Sequence, residues 1–72
     1  MVRNKEDWNC YLIYTQYKDN PEVKIRRAYN YADAMRIYNS IQLTDDVEYV
    51  ELQGEGYDDH NGFIRDVIDM KD

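Results

Sequence analysis

The sequence predicts a small α+β domain: ββαββ, with one helix on one face of a four-stranded antiparallel sheet in the order 2-1-3-4. Three observations carry that expectation. Trp8 to Tyr17 is rich in aromatic and β-branched residues and free of Gly, Pro and charge. Ala34, Ile37, Tyr38 and Ile41 form one apolar stripe at helical spacing. Val47-Glu48-Tyr49-Val50-Glu51-Leu52 then reads as a further strand.

The first strand carries apolar side chains on both sides, Cys10, Leu12 and Tyr14 on one and Tyr11, Ile13 and Tyr17 on the other. Such two-sided character belongs to a central strand. Lys18-Asp19-Asn20-Pro21-Glu22 has turn chemistry, because Asp and Asn favour turns and Pro fixes φ. Val23 to Tyr29 follows as an edge strand, whose Lys24, Arg26 and Arg27 discourage unwanted sheet pairing. Asn30 suits a helix N-cap, with Asp33 placed to meet the unpaired N–H groups of a helix over 31–41. Tyr29 is positioned to staple the helix entry against Ala34. Val47–Leu52 is the third strand, and residues 53–62, with all three glycines, read as a long loop. Phe63 to Met70 fits either a strand, with Ile64, Ile68 and Met70 on one side, or a helix. The strand is preferred because the third strand needs a partner. Residues 1–7 are expected to be a flexible N-terminus, and the whole of 1–72 a single domain.

At 72 residues the core is thin, and domains of this size usually need a staple, a metal or a partner. One helix covers one face of a four-stranded sheet, so the other face is expected to be buried in a homodimer. Tyr11, Ile13 and Tyr17 are the side chains expected to make that contact. Cys10 is the one cysteine, which rules out an internal disulfide and fits a small buried side chain in a reducing compartment. The first seven residues are polar and charged with no apolar core of a signal peptide after them. No apolar run approaches the ~20 residues that span a bilayer. A cytoplasmic protein without membrane contact is expected.

Charge is segregated along the chain. Residues 1–44 hold seven basic and five acidic side chains, a net of +2, whereas residues 45–72 hold two basic and ten acidic, a net of −8. In the expected sheet this places a basic second strand at one edge and an acidic fourth at the other. The acidic residues Glu48, Glu51, Asp58, Asp59 and Asp66 are a candidate interaction surface. Spaced like phosphates, they would make the protein an inhibitor of a host nuclease or DNA-binding protein. Lys24, Arg26 and Arg27 are the alternative, a basic strip beside Tyr29 and Tyr31 for weak nucleic-acid binding. The overall charge of −6 opposes that reading.

No catalytic pattern accompanies these surfaces, and neither an enzyme nor a cofactor is expected. His60, flanked by Asp58 and Asp59, lacks a nucleophile at any informative spacing. The run Asp58-Asp59-His60-Asn61-Gly62 has adjacent carboxylates where a calcium loop needs alternate ones, and no glutamate follows it. Zinc would want several Cys or His ligands, and the chain has two such residues. Gly54-Glu55-Gly56 lacks the third glycine of a dinucleotide loop and the Lys-Ser/Thr of a phosphate loop. The remaining function is interaction with a protein partner or assembly.

The tyrosine-rich first strand, the short turn, the helix Ala32-Asp33-Ala34-Met35-Arg36-Ile37-Tyr38-Asn39-Ser40 and the strand Val47-Glu48-Tyr49-Val50-Glu51-Leu52 together resemble small acidic accessory proteins encoded by bacteriophages and prophages. That resemblance covers most of the chain in style and carries no functional residue across. It implies a non-enzymatic role in binding a host or phage protein, sometimes to block a nuclease or another defence factor.

Overall fold

The computed structural model describes residues 4–72. Its elements are β1 (Cys10–Tyr17), β2 (Val23–Ala28), α1 (Tyr31–Ser40), β3 (Val47–Asp58) and β4 (Gly62–Lys71). The strands form one antiparallel sheet in the order β2-β1-β3-β4. A small α+β domain with a central first strand is therefore what the chain forms. Asn20 stops β1 and starts β2: its Oδ1 accepts from the Glu22 N–H at 3.0 Å, while Gln16 Nε2 donates to the carbonyls of Tyr17 and Asn20.

Asn30 caps α1 as expected. Its Oδ1 accepts from the Asp33 N–H at 2.8 Å and its amide donates to the Asp33 carboxylate at 3.0 Å, a reciprocal box. Asp33 also pairs with Arg36 one turn on. Tyr29 does not staple this entry, since it is 72 % exposed. Tyr31, the first helical residue, instead packs the start of α1 onto the sheet, its ring 6.0 Å from that of Tyr11. At the other end Lys71 donates to the Tyr38 carbonyl at 2.7 Å, a cation at the negative end of the helix.

The helix covers the side of the sheet that carries Tyr11, Ile13 and Thr15. Tyr11 and Ile13 are 0 % exposed and share the core with Ala28, Ala34, Tyr38, Val47, Val50 and Leu52. Each such large apolar side chain is worth roughly 1.5–3 kcal/mol on burial. The expected role of Tyr11, Ile13 and Tyr17 in self-association is thus overturned for the first two: they face the helix. Tyr17 is half-buried and packs against the same core.

Two further expectations are corrected. Residues 53–62 are not a long loop: β3 runs on to Asp58, and the turn is only Asp59, His60 and Asn61, closed by Gly62 at φ 74°. Gly54 is inside a strand because the indole of Trp8 lies on it; a Cβ there would stand 2.4 Å from the ring. The second concerns β4. A register shift opposite Leu52/Gln53 sends Val67 and Met70 to one side while Ile64 and Ile68 reach the core. Met70 therefore does not share a side with Ile64 and Ile68.

The expected flexibility of residues 1–7 falls partly outside the described residues. Those that are described are tied down, with Tyr11 Oη donating to the Lys5 carbonyl at 2.7 Å and the Asp7 N–H to the Asn4 carbonyl at 3.0 Å. The molecule is a sheet with one helical layer, 41 × 23 × 17 Å, and its radius of gyration of 12.9 Å exceeds the ~11 Å typical of this length.

Candidate functional site: the open face of the sheet

Side chains alternate across a strand, so putting Tyr11 and Ile13 under the helix sends their neighbours to the opposite face. The strand register assembles that face row by row. Arg27, Leu12, Gln53 and Val67 form one row; Ile25, Tyr14, Glu51 and Met70 form the next. Cys10, Glu55 and Arg65 lie on one flank of these rows, and Val23, Gln16 and Tyr49 on the other. Beyond the end of β1, Tyr57 and Phe63 pair edge to face with centroids 5.7 Å apart.

No element among the described residues covers this face. Ile25, Phe63, Val67 and Met70 remain 51 to 54 % exposed, although Leu12 at their centre is closed in by its neighbours. Every one of the four is a large apolar side chain on the same side of one sheet. They flank a centre of Leu12, Tyr14, Glu51 and Gln53, with Ile25 on one edge strand and the other three along β4. Single apolar side chains are ordinary on a protein surface, and it is their number on one uncovered side that favours an interface.

The polar groups of the face are organised. Glu55 is only 7 % exposed and accepts from Arg65 Nη2 at 2.8 Å and Nε at 3.1 Å. Cys10 Sγ lies 3.5 Å from the other oxygen of the same carboxylate. Burial, then that hydrogen bond and the charge of Glu55, push the Cys10 thiol up, which favours its protonated form. The Glu51 carboxylate accepts from Gln53 Nε2 at 2.8 Å. The Oε1 of the same Gln53 is buried without a partner.

The acidic candidates do not come together. Glu51 lies on the open face and Asp66 on the helix side of β4, opposite Gly54. Asp58 and Asp59 are at the β3–β4 turn, where Asp58 Oδ1 accepts from the N–H groups of His60 and Asn61 and so builds the turn. Glu48 sits near the far end of β3, about 33 Å of strand from Asp58. These five make no row of spaced charges. The expected acidic edge fails as well, because β4 carries Arg65 and Lys71 beside Asp66 and Asp69. Asp66 and Asp69 accept from the backbone N–H groups of Val67 and Met70, at 2.9 Å each. Part of the hydrogen-bonding capacity of this outer strand is thereby used by its own side chains, which with its charges blunts edge-to-edge pairing.

The basic strip is split by strand alternation. Lys24 and Arg26 lie on the helix side, opposite Thr15 and Ile13, and Arg27 on the open face opposite Leu12. Lys24 and Arg26 line a cleft of about 400 Å³ under the α1–β3 connection, together with Ser40, Thr44 and Asp46. Asp46 is hydrogen-bonded by Thr44, which, more than the charge of Lys18, holds its carboxyl below the usual range. A cleft with both signs of charge is not built for a polyanion.

The open face was partly legible in advance. That one side of the sheet would be bare followed from counting a single helix; which side followed only from the register. Leu12, Tyr14, Ile25, Val67 and Met70 were missed for that reason, and Arg27 was grouped with Lys24 and Arg26, which face the other way. Among the described residues no helix is long and apolar enough to cross a membrane. Compared with known proteins, the chain matches no family model, no curated protein and no solved structure.

Proposed function

We propose that this is a non-enzymatic interaction and assembly protein that works by docking the open face of its sheet, and that its first partner is a second copy of itself. The observation that carries the reading is the group Ile25, Phe63, Val67 and Met70, half-exposed on one uncovered side. A sheet with one covered face is half of a layered fold, and a second sheet about 10 Å away would complete it. Four strands about 4.8 Å apart and roughly 26 Å long present a plane of about 500 Å². Two such planes meet the ~1,000 Å² that a specific interface needs, before side-chain relief is added. The blunted β4 edge favours stacking of faces over extension of the sheet.

The other two readings have less behind them. Inhibition by mimicry of nucleic acid needs a row of carboxylates, and the five candidates lie on two faces and at both ends. Nucleic-acid binding needs Lys24, Arg26 and Arg27 on one side, and alternation divides them. The likeness to phage accessory proteins is compatible with the docking reading and adds no residue to it.

Light scattering on the wild-type protein and on Val67→Lys tests the proposal. Wild type should have twice the 8.7 kDa chain mass, and the variant the mass of one chain with an unchanged far-ultraviolet spectrum. A wild-type protein that stays a single chain up to its solubility limit would overturn it.

A further inference from the structure

We infer that the second copy docks with the two-fold axis running along the strands, so that β1 of each copy lies over β3 of the other and Arg27 of each pairs with Glu51 of the other. This rests on the self-association proposed above and specifies how it is built.

The argument is one of charge on the open face. The charged side chains that the strand register pairs on it are Arg27, Glu51, Glu55 and Arg65, Glu48 lying in the irregularity opposite Gln16/Tyr17 and outside these rows. Glu55 and Arg65 already neutralise each other through two hydrogen bonds and can enter a dry interface together. Arg27 and Glu51 cannot. Among the described residues Arg27 has no ion pair, and the carboxylate of Glu51 is met by the neutral amide of Gln53 and by no cation. Burying either alone would leave an uncompensated charge. A two-fold interface solves this only if it brings the cation of one copy to the anion of the other.

Two face-to-face arrangements keep the strands of the two sheets aligned. With the axis across the strands, β2 lies over the partner copy's β2 and β3 over its β3. The two Arg27 side chains then gather on one flank and the two Glu51 side chains on the other, which costs binding energy. With the axis along the strands, the order 2-1-3-4 is laid over 4-3-1-2 and each row lies over itself. Arg27 then stands above β4 of the other copy, beside the strand and in the row next to its Glu51. Ile25 falls over Met70, which closes two of the exposed apolar side chains against each other. Tyr14 falls over Glu51 with its hydroxyl available as a donor. All three contacts occur twice by symmetry.

Charge exchange tests the arrangement. Arg27→Glu and Glu51→Arg are made separately in the full chain, checked for a wild-type far-ultraviolet spectrum, and studied by sedimentation equilibrium alone and mixed. Each variant alone should associate at least about ten-fold more weakly than wild type, because each then confronts like charges. Their equimolar mixture should form a one-to-one heterodimer, since both cross-pairs regain opposite sign, and the double variant Arg27→Glu/Glu51→Arg should dimerise by itself. If Glu51→Arg does not fold, Glu51→Lys replaces it. Dimers of unaltered strength from both single variants, or a mixture of folded variants that stays monomeric, would overturn this arrangement and leave the docking face standing. A monomeric wild type would instead remove the reading on which it rests.

Discussion

Trp8 and Gly54 meet with no room for a side chain between them: a Cβ at Gly54 would stand 2.4 Å from the Cγ and Cδ2 atoms of the indole. That contact lets β3 pass beneath the chain entering β1 and places Glu55, the next residue, on the open face beside Cys10. Gly54→Ala should destabilise the protein by about 1–3 kcal/mol, the usual range for overpacking a filled site. Urea unfolding followed by Trp8 fluorescence measures it. An unchanged midpoint would mean that the indole is not seated there.

The two faces of β1 and β4 respond oppositely to the same substitution. Ile13→Glu puts a carboxylate into the closed core and should consume most of the ~5 kcal/mol that holds a domain of this size together. Val67→Glu places it on the open face and should leave the folded monomer intact. Circular dichroism with thermal melts separates the outcomes. A well-folded Ile13→Glu protein would contradict the assignment of faces.

Asn30 closes the helix through both its amide atoms. Asn30→Ala should cost about 1 kcal/mol, and Asn30→Ser much less, because a hydroxyl oxygen still accepts from the Asp33 N–H without setting a second carboxylate against that of Asp33. Chemical denaturation of the two variants side by side provides the comparison; equal losses would argue that the cap is not what Asn30 supplies.

Stability should fall in alkali. Burial raises the Tyr11 and Tyr38 hydroxyls above the ordinary value of 10.0, and burial with the bond to Glu55 raises the Cys10 thiol above 9.0. In each case the folded chain keeps its proton to higher pH than the unfolded chain does. Their contribution is therefore whole below about pH 9 and is lost as pH climbs through 9–10 toward the folded values. Melting temperatures recorded from pH 7 to pH 11 should decline over that window, and less steeply for Tyr38→Phe. A flat profile would contradict the burial of these groups.

The order and type of the elements were written in the sequence because they depend on local periodicity. Asn30 and the stripe Ala34, Ile37, Tyr38, Ile41 define a helix without reference to anything else, and Trp8–Tyr17 defines a central strand. What decided the site was not local. Both sides of β1 are apolar, and the choice between them depended on Ala28 and Leu52, which stand in register with Tyr11 and Ile13. Gly54 and Gly56 read as loop because glycine usually interrupts strands; only the overlying Trp8 shows why a strand needs one there. The shift opposite Leu52/Gln53 turned Met70 outward, and a single inserted residue leaves no mark in composition. Glu55 looked like one more acidic side chain until its pairing with Arg65 was seen.

Isotope-filtered nuclear Overhauser measurements on a mixture of labelled and unlabelled chains test most directly whether a second copy covers the bare side of the sheet. Intermolecular signals should link the methyl groups of Ile25, Val67 and Met70 to the other chain, with none from Ile13 or Val50. Signals confined to α1, or none at concentrations where the wild-type mass is that of a dimer, would contradict the account.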